Sequence, residues 1–345
     1  MSRHKRTRSA LFFALTVLAL LPVHPGDANA ELVEYTEARP LMGTLVSMTV
    51  EGPRRDVLEQ GVNDAYREMS RLSDMMNHYN PDSVVSEINR QAGAQPVTVP
   101  RELMEVLAMA RRVSERSEGA FDITVGSLNV WRFNPEKPGI PTPDEIRRAL
   151  PLVNFRHVIL NEKNRTVLLQ QPGMRMDLGG IAKLYILDAG MQALKQRGIK
   201  HAMVNGGGDV AVMGKHRGRP WRIGIRHPRR DDALLGAVEL TRGWVVTSGD
   251  YERYFFRDGK RYHHILDPRT GYPTEGPQQV TLVADDIVQV NGYSLAIMVR
   301  GQDWGRDLIA RTPGLSGLIV SHDGEPRISP GMGNLRFATP SPQAK

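Results

Sequence analysis

The sequence predicts an α+β fold in which mostly antiparallel sheets pack against helices. Three segments, residues 57–75, 101–118 and 181–197, place apolar side chains at helical spacing. Between and after them stand short runs that are rich in β-branched residues and bounded by turn residues, which is typical of antiparallel strands. Helices and strands do not alternate regularly enough for a doubly wound parallel sheet.

The predicted elements follow one another along one continuous domain. Gly119 ends the second helix and Gly198 ends the third, because glycine readily adopts the left-handed conformation that closes a helix. Residues 133–151 are rich in proline and are expected to form an irregular connection around one short helix. The predicted strands cover residues 158–160, 166–169, 202–204, 221–225, 237–240, 244–247, 280–283 and 317–320.

Residues 1–30 have the pattern of a cleavable secretory signal peptide. Basic residues come first, residues 10–21 are apolar, and Ala28-Asn29-Ala30 has the small-x-small pattern of a cleavage site. The apolar stretch is shorter than the roughly 20 residues that a membrane-spanning helix needs. We therefore expect export to a bacterial periplasm, a mature domain at residues 31–338 and a flexible tail at residues 339–345.

The composition restricts the chemistry that is open to this protein. The chain has no cysteine, which excludes disulfide bonds, thiol catalysis and thiolate metal sites. Any catalytic group or metal ligand therefore uses oxygen or nitrogen. The formal net charge is only +7 over 345 residues, and part of it lies in the signal segment. This small excess gives little electrostatic support to nucleic-acid binding.

Two glycine motifs are candidates for close contact with a ligand. In the run from Asp177 to Lys183, a diglycine turn starts a helix, so backbone N–H groups, the helix dipole and the Lys183 ammonium can attract a phosphate. The same turn can also simply begin a helix. The run from Asn205 to Asp209 contains three consecutive glycines, which indicates either a close approach of the backbone to a ligand or neighbouring chain, or a tight hairpin.

A third motif, residues 262–273, crowds imidazoles, a carboxylate and a guanidinium between turn residues. Histidine accepts and donates protons near neutral pH, so His264 is a candidate acid or base. The alternative is a strand that enters the Asp267-Pro268 turn with His264 merely packed beside it.

Seven short motifs extend these observations over nearly all of the mature chain. They contain residues 42–44, 79–83 with 87–89, 119–126, 177–183, 206–209, 247–251 and 264–271. In this order and content the sequence resembles the periplasmic FAD:protein FMN transferases of the ApbE family.

The resemblance implies a reaction and a set of site residues. The FMN half of FAD would be transferred to a threonine hydroxyl of a partner through a phosphoester bond, with release of AMP and help from Mg²⁺. The partner would be a periplasmic FMN-binding domain of a respiratory or electron-transfer protein. By the same resemblance, His264 would be the general base, and Gly180 and position 291 would hold the metal. The implied cofactor contacts are Met42, Tyr79, Ala120, Phe121, Asp122, Asp177, Lys183 and Ile265.

The sequence departs from the family at the metal ligands. Family members supply an Asp carboxylate and, four residues later, a Thr hydroxyl, whereas this chain has Asn291 and Leu295. A neutral amide is a poorer ligand for Mg²⁺ than a carboxylate, and leucine is none, so metal binding should be weakened. Asp285 and Asp286 lie nearby without the family's spacing. Leu184 replaces the usual glycine and is expected to narrow the flavin pocket.

Two functions of different class remain open from the sequence. The retained Asp177, Lys183 and His264 favour a flavin transferase, with full or weakened activity. Asn291 and Leu295 favour a non-catalytic relative that binds FAD as a carrier or assembly factor. A solute-binding protein would share the export signal but would leave the motif at residues 264–271 unexplained.

Overall fold

The computed structural model describes residues 32–134 and 136–332. The predicted signal segment and the predicted C-terminal tail therefore lie outside the described residues, and both stay predictions. All described residues belong to one compact unit that begins at Leu32. No helix among these residues has the combination of length and apolar character that is needed to cross a membrane.

An antiparallel sheet of eight strands forms the centre of the described structure. The strands in chain order are β1 (Val33–Leu41), β2 (Thr44–Gly52), β3 (Val97–Thr98), β4 (Val158–Asn161), β5 (Thr166–Leu169), β6 (His201–Gly206), β7 (Asp209–Met213), β8 (Trp221–His227), β9 (Arg230–Leu240), β10 (Arg242–Gly249), β11 (Tyr254–Arg257), β12 (Lys260–His263), β13 (Gln279–Ala284), β14 (Ser316–Val320) and β15 (Pro326–Ile328). The central sheet has the order β1-β2-β6-β7-β10-β13-β14-β15. A small sheet, β3-β5-β4, and the hairpins β8–β9 and β11–β12 accompany it.

Eight α-helices are described. They are α1 (Arg55–Met76), α2 (Val84–Arg90), α3 (Arg101–Arg116), α4 (Pro143–Ala149), α5 (Ala182–Gln196), α6 (Ile287–Val290), α7 (Tyr293–Arg300) and α8 (Gln302–Arg311). Short 3₁₀ turns cover Ile123–Leu128, Leu150–Leu152, Phe155–His157 and Pro330–Met332.

The central sheet is buried on both faces along β7. Ala211 and Met213 belong to the main core, which includes residues of α1, α3, α5 and α7. The alternate residues Val210 and Val212 face a second cluster, where they pack against the hairpin β8–β9. Because successive side chains of a strand point to opposite faces, a strand between two apolar layers has consecutive apolar residues, as in the run from Val210 to Met213. Every residue of β7 is buried.

The predicted elements are confirmed, and the structure adds others. The predicted helices correspond to α1, α3 and α5, each predicted strand lies within an observed strand, and α4 is the short helix of the proline-rich connection. The sequence interpretation missed the strands β1, β2, β3, β7, β11, β12 and β15 and the helices α2, α6, α7 and α8. Helix α7 was missed because apolar residues cover most of its surface, so no polar face marks the helical period.

Two tight turns lie side by side at one edge of the central sheet. Met42 and Gly43 join β1 to β2, while Gly207 and Gly208 join β6 to β7, and all four have positive φ. The turns are neighbours because β2 pairs with β6, and the Gly207 N–H donates to the Leu45 carbonyl at 3.3 Å. The glycine run is therefore both a tight hairpin and a close contact between chain segments.

We predict that Gly207→Ala destabilises the protein mainly through a steric clash. A Cβ at Gly207 would lie 2.5 Å from Thr44 Oγ1, whereas a Cβ at Gly218 would meet nothing within 4 Å. Both glycines have positive φ, so Gly218→Ala is a matched control for backbone strain alone. Overpacking should lower the free energy of unfolding of Gly207→Ala by about 1–3 kcal/mol beyond the control. Urea unfolding measures the difference, and equal losses would contradict the clash.

Candidate active site

The edge that carries the two turns also carries a buried carboxylate, Asp209, at the start of β7. Asp209 is 4% exposed. Its Oδ1 accepts a hydrogen bond from the Thr247 N–H at 3.0 Å, and its Oδ2 contacts the Lys183 ammonium. A buried carboxylate is stable only when it is paired and hydrogen-bonded. These contacts therefore fix the first turn of α5 against β7 and β10.

The N-terminus of α5 is open to an anion. Its N-cap residue, Ile181, provides no side-chain acceptor, and the first turn contains no acidic residue. Lys183 stands in this turn with about a third of its side chain exposed. Free N–H groups at a helix start carry partial positive charge, and an ammonium beside them adds to the attraction. The structure thus retains the arrangement that the sequence predicts for a phosphate site.

The diglycine turn before α5 is held by Asp177. The Asp177 carboxylate accepts a hydrogen bond from the Gly179 N–H at 2.7 Å, and the Asp177 N–H donates to the Ile123 carbonyl at 2.8 Å. His78 Nδ1 lies 3.4 Å from the same carboxylate. The contact with His78 places the neighbouring residue, Tyr79, close to the turn.

Tyr79 presents a large aromatic surface to solvent. It is 76% exposed, and its ring lies 3.9 Å from the His78 ring, centroid to centroid. The Asn77 side chain accepts a hydrogen bond from the Tyr79 N–H at 3.0 Å and so fixes the backbone at this position. An exposed aromatic ring on an anchored backbone is suited to stack on a planar ligand.

Asp122 has an internal role in the described structure. Its Oδ1 accepts hydrogen bonds from the Thr124 N–H at 2.8 Å and the Thr124 hydroxyl at 2.6 Å, and its Oδ2 accepts one from the Phe155 N–H at 2.8 Å. Burial raises the pKa of Asp122, and these hydrogen bonds oppose that rise. These three hydrogen bonds engage both carboxylate oxygens within the protein, whereas the resemblance implies a cofactor contact by this residue. That contact stays a prediction.

The remaining predicted cofactor residues are buried or partly buried, and their contacts with a cofactor stay predictions. Ala120 and Phe121 are buried, and the Phe121 ring lies beside Gly180. Ile265 is buried in the main core, and its carbonyl accepts a hydrogen bond from the Thr274 N–H at 2.9 Å. Met42 is partly buried with a φ of 54°, a conformation that costs a residue with a side chain about 1–2 kcal/mol.

Leu184 packs into the main core. It is 4% exposed and belongs to the same apolar cluster as the neighbouring Leu187. The narrowing of the flavin pocket by Leu184 stays a prediction.

His263 and His264 have different environments. His263 is buried, its Nε2–H donates to the Thr274 carbonyl at 2.9 Å, and its Nδ1 accepts from the Ile265 N–H at 3.4 Å. Both ring nitrogens of this neutral histidine thus hold the loop. Burial also lowers the pKa of His263. His263 is therefore a structural residue.

His264 has an uncharged imidazole with one ring nitrogen that no protein group engages. Its ring is only partly exposed, and its Nδ1 is buried without a hydrogen-bond partner. Burial, followed by the positive charge of Arg253, lowers the pKa of His264 to about 3. The positive charge of Lys183 acts in the same direction, so its ammonium lies near enough to the ring to affect the pKa of His264. At neutral pH the ring is therefore uncharged.

The residues at the implied metal position do not fit Mg²⁺. Asn291 is fully buried, and its Nδ2 donates to the Ile181 carbonyl at 2.9 Å. Leu295 covers Gly180 so closely that a Cβ on the glycine would lie 2.6 Å from Leu295 Cδ1. The donors are thus a neutral amide and backbone oxygen, with hydrocarbon at the hydroxyl position. Mg²⁺ is normally held by one or two carboxylates and waters.

The two nearby carboxylates are engaged elsewhere. Asp285 is exposed and pairs with Arg242, and Asp286 accepts a hydrogen bond from the Val288 N–H at 2.9 Å as the N-cap of α6. Neither contact points to compensation for Asn291.

The structure also identifies site residues to which the sequence assigned no role. His78 links the exposed Tyr79 to Asp177, and Asp209 links Lys183 to the sheet. Asp209 stood in the glycine motif, and His78 stood next to a predicted aromatic contact. Both residues therefore stood in or beside a motif that the sequence singles out. The sequence did not show that His78 pairs with Asp177 or that Asp209 pairs with Lys183, because the members of each pair are far apart along the chain.

Sequence comparison assigns the chain a family and named relatives. Residues 42–319 match the model of the ApbE family. A Klebsiella pneumoniae (strain 342) protein named FAD:protein FMN transferase is 36% identical over 259 residues, which cover 74% of this chain and 80% of that protein. A Treponema pallidum (strain Nichols) protein of the same name is 30% identical over 344 residues, with coverage of 94% and 95%.

Solved structures confirm the predicted α+β fold. The ApbE protein from Thermotoga maritima superimposes with a TM-score of 0.79 at 36% identity, over 88% of this chain and 100% of that chain. The flavin transferase ApbE from Vibrio cholerae gives a TM-score of 0.75 at 28% identity, with coverage of 89% and 100%.

We predict that His264 makes the protein less stable at acidic pH. Below the ordinary histidine pKa of about 6.5, the unfolded chain binds a proton that the folded chain rejects down to about pH 3. When the pH is lowered from about 7 to about 4.5, the free energy of unfolding should therefore fall by about 2 kcal/mol less in His264→Gln than in the unmodified protein. Urea unfolding at both pH values measures this, with the exposed His322→Gln as control. Equal losses would contradict the buried neutral state.

Proposed function

Because the chain belongs to the ApbE family, we propose that it transfers FMN from FAD to a threonine of a partner flavoprotein and releases AMP. The observation that carries this proposal is the meeting of three features at one edge of the sheet. These are the open N-terminus of α5 with Lys183, the exposed ring of Tyr79, and the neutral imidazole of His264. The helix start with Lys183 suits a pyrophosphate, and the Tyr79 ring suits a planar ring system. The His264 imidazole suits the proton of a hydroxyl group.

The N-terminus of α5 would hold the pyrophosphate of FAD. The helix start and Lys183 place positive charge where negative charge grows on the AMP leaving group during the reaction. Asp177 and the turn at Gly179 and Gly180 shape the backbone around this position. Tyr79 would cover one flat face of a bound ring.

His264 would take the proton from the attacking hydroxyl. The threonine oxygen forms a bond to the phosphorus of the FMN phosphate, the bond from that phosphorus to the bridging oxygen breaks, and AMP leaves with the electron pair. A bound pyrophosphate raises the proton affinity of His264, since nearby negative charge favours imidazolium. The low pKa of the free protein therefore does not oppose this role.

We propose the periplasm as the place of this reaction. The pattern at residues 1–30 supports export, and the acceptor would be a threonine in a periplasmic FMN-binding domain of a respiratory or electron-transfer protein. No step is assigned to Mg²⁺, because Asn291 and Leu295 do not fit it.

The proposal is tested by incubating the mature protein with FAD and a candidate FMN-binding domain. Transfer leaves fluorescence on the acceptor band of a denaturing gel and releases AMP in equal amount. FAD binding without either product would contradict the transferase and favour the FAD carrier. The observation that favours the carrier is the altered pair, Asn291 and Leu295.

We predict that His264→Ala lowers the transfer rate by about 10²-fold or more while FAD affinity stays nearly unchanged. A base acts on the acceptor hydroxyl and not on the bound cofactor. His322→Ala, at an exposed position, is the control for loss of an imidazole. Single-turnover rates and fluorescence titration with FAD separate the two effects. A loss of FAD affinity equal to the loss of rate would show that His264 acts in binding.

We also predict that the protein binds FAD more tightly than FMN. The open end of α5 and Lys183 can interact with both phosphates of FAD but with only one phosphate of FMN. Calorimetric titration with the two flavins compares the dissociation constants. Equal affinities would remove the pyrophosphate from this position.

A further inference from the structure

Asn291, which stands where the family implies a metal ligand, donates a hydrogen bond to the Ile181 carbonyl. We propose, on the basis of the proposed function, that this chain binds the pyrophosphate of FAD without a divalent cation at Gly180 and Asn291. Lys183 and the start of α5 supply the positive charge that the pyrophosphate needs. Asn291 and Leu295 leave no suitable ligands for a cation at the position where the family has its metal.

The orientation of the Asn291 amide follows from its neighbours. The Ile181 carbonyl can only accept a hydrogen bond, so the amide nitrogen must face it, and the two atoms are 2.9 Å apart. The same nitrogen lies 3.1 Å from Met109 Sδ. The amide therefore joins the segment before α7 directly to the start of α5. With an aspartate in this position, an oxygen would face the carbonyl, and a cation between the two would be needed to hold them together.

Leu295 makes the metal position apolar. A Cβ on Gly180 would lie 2.6 Å from Leu295 Cδ1 and 3.2 Å from Phe121 Cε2, so hydrocarbon already contacts this backbone. Leu295 itself packs against the main core. A divalent cation here would lose hydration without gaining an anionic ligand, which is unfavourable for Mg²⁺ in particular. Asn291 Oδ1 is buried and unpartnered, but it is a single neutral oxygen.

The described structure provides another source of positive charge within the same element. Helix α5 has 15 residues, starts without a side-chain cap and carries Lys183 in its first turn. The partial charge at the N-terminus of such a helix is equivalent to about half an elementary charge. Asp209 orients the ammonium and leaves about a third of the Lys183 side chain exposed. Charge-assisted hydrogen bonds from these groups can hold a pyrophosphate without a metal.

The first test measures FAD affinity by calorimetry in excess EDTA and in millimolar MgCl₂. Two ligands that do not interact leave each other's affinity unchanged, so the two dissociation constants should agree within a factor of about two. Lys183→Gln should weaken FAD binding about ten-fold in both solutions, because it removes one charge-assisted contact. Tightening by MgCl₂ of about ten-fold or more in the unmodified protein would overturn the inference.

The second test restores the two ligands. The double variant Asn291→Asp with Leu295→Thr should gain a Mg²⁺-dependent rise in melting temperature and Mg²⁺-dependent FAD binding, because it returns a carboxylate and a hydroxyl. The matched control is Asn291→Asp with Leu295→Val, which has the shape of threonine without its hydroxyl, and its gain should be smaller. If neither double variant responds to MgCl₂ although both fold and bind FAD, the position is not a displaced metal site and the inference is wrong.

Transfer assays in EDTA separate this inference from the proposed function. Transfer at the same rate in EDTA and in MgCl₂ supports both. Equal FAD affinity in the two solutions with no transfer in either supports metal-free binding and contradicts the transferase. Transfer that stops in EDTA and returns with MgCl₂ contradicts the inference and leaves the transferase intact.

Discussion

The ion pair between Lys183 and Asp209 is the interaction on which the rest of the site depends. A carboxylate that is 4% exposed would be costly without a partner, and the pair removes that cost by bringing the first turn of α5 to the edge of the sheet. This contact places the start of α5, and Asp177 separately holds the diglycine turn before it. A ligand phosphate at this edge would meet a lysine whose position is already fixed, so little side-chain freedom is lost on binding.

Backbone strain occurs at Met42, in one of the two adjacent turns, and at Glu118, beside another of the motifs. Met42 and Gly207 occupy adjacent turns with positive φ, and Glu118 has positive φ just before Gly119. Residues with side chains adopt this conformation at a cost of about 1–3 kcal/mol each, so the surrounding contacts must compensate for it. Met42 and Gly207 lie in two of the short motifs by which the chain resembles the family, and Glu118 directly precedes a third. The central sheet provides the rigid frame that maintains such turns.

A hydrogen bond and a metal ion can solve the same structural problem in different ways. Two oxygen atoms from different segments repel each other unless a cation lies between them, whereas an amide N–H and a carbonyl attract directly. Asn291 and the Ile181 carbonyl form the second arrangement here. The hydrogen bond therefore holds α5 to the segment before α7 without an ion. The chain nevertheless has the fold of its relatives, with TM-scores of 0.75–0.79.

The sequence by itself determined the α+β class, the principal helices, the family and the chemical types at the site. Apolar periodicity and turn residues are local properties, and the motifs at Asp177, Lys183 and His264 are short enough to be visible in one segment. Tertiary structure alone decided which neighbours these residues meet. It paired Lys183 with Asp209, buried the Nδ1 side of the His264 ring and turned the Asn291 amide toward α5. Charge, burial and hydrogen-bond direction depend on groups that are distant along the chain, and so they are set only when the sheet and helices pack together.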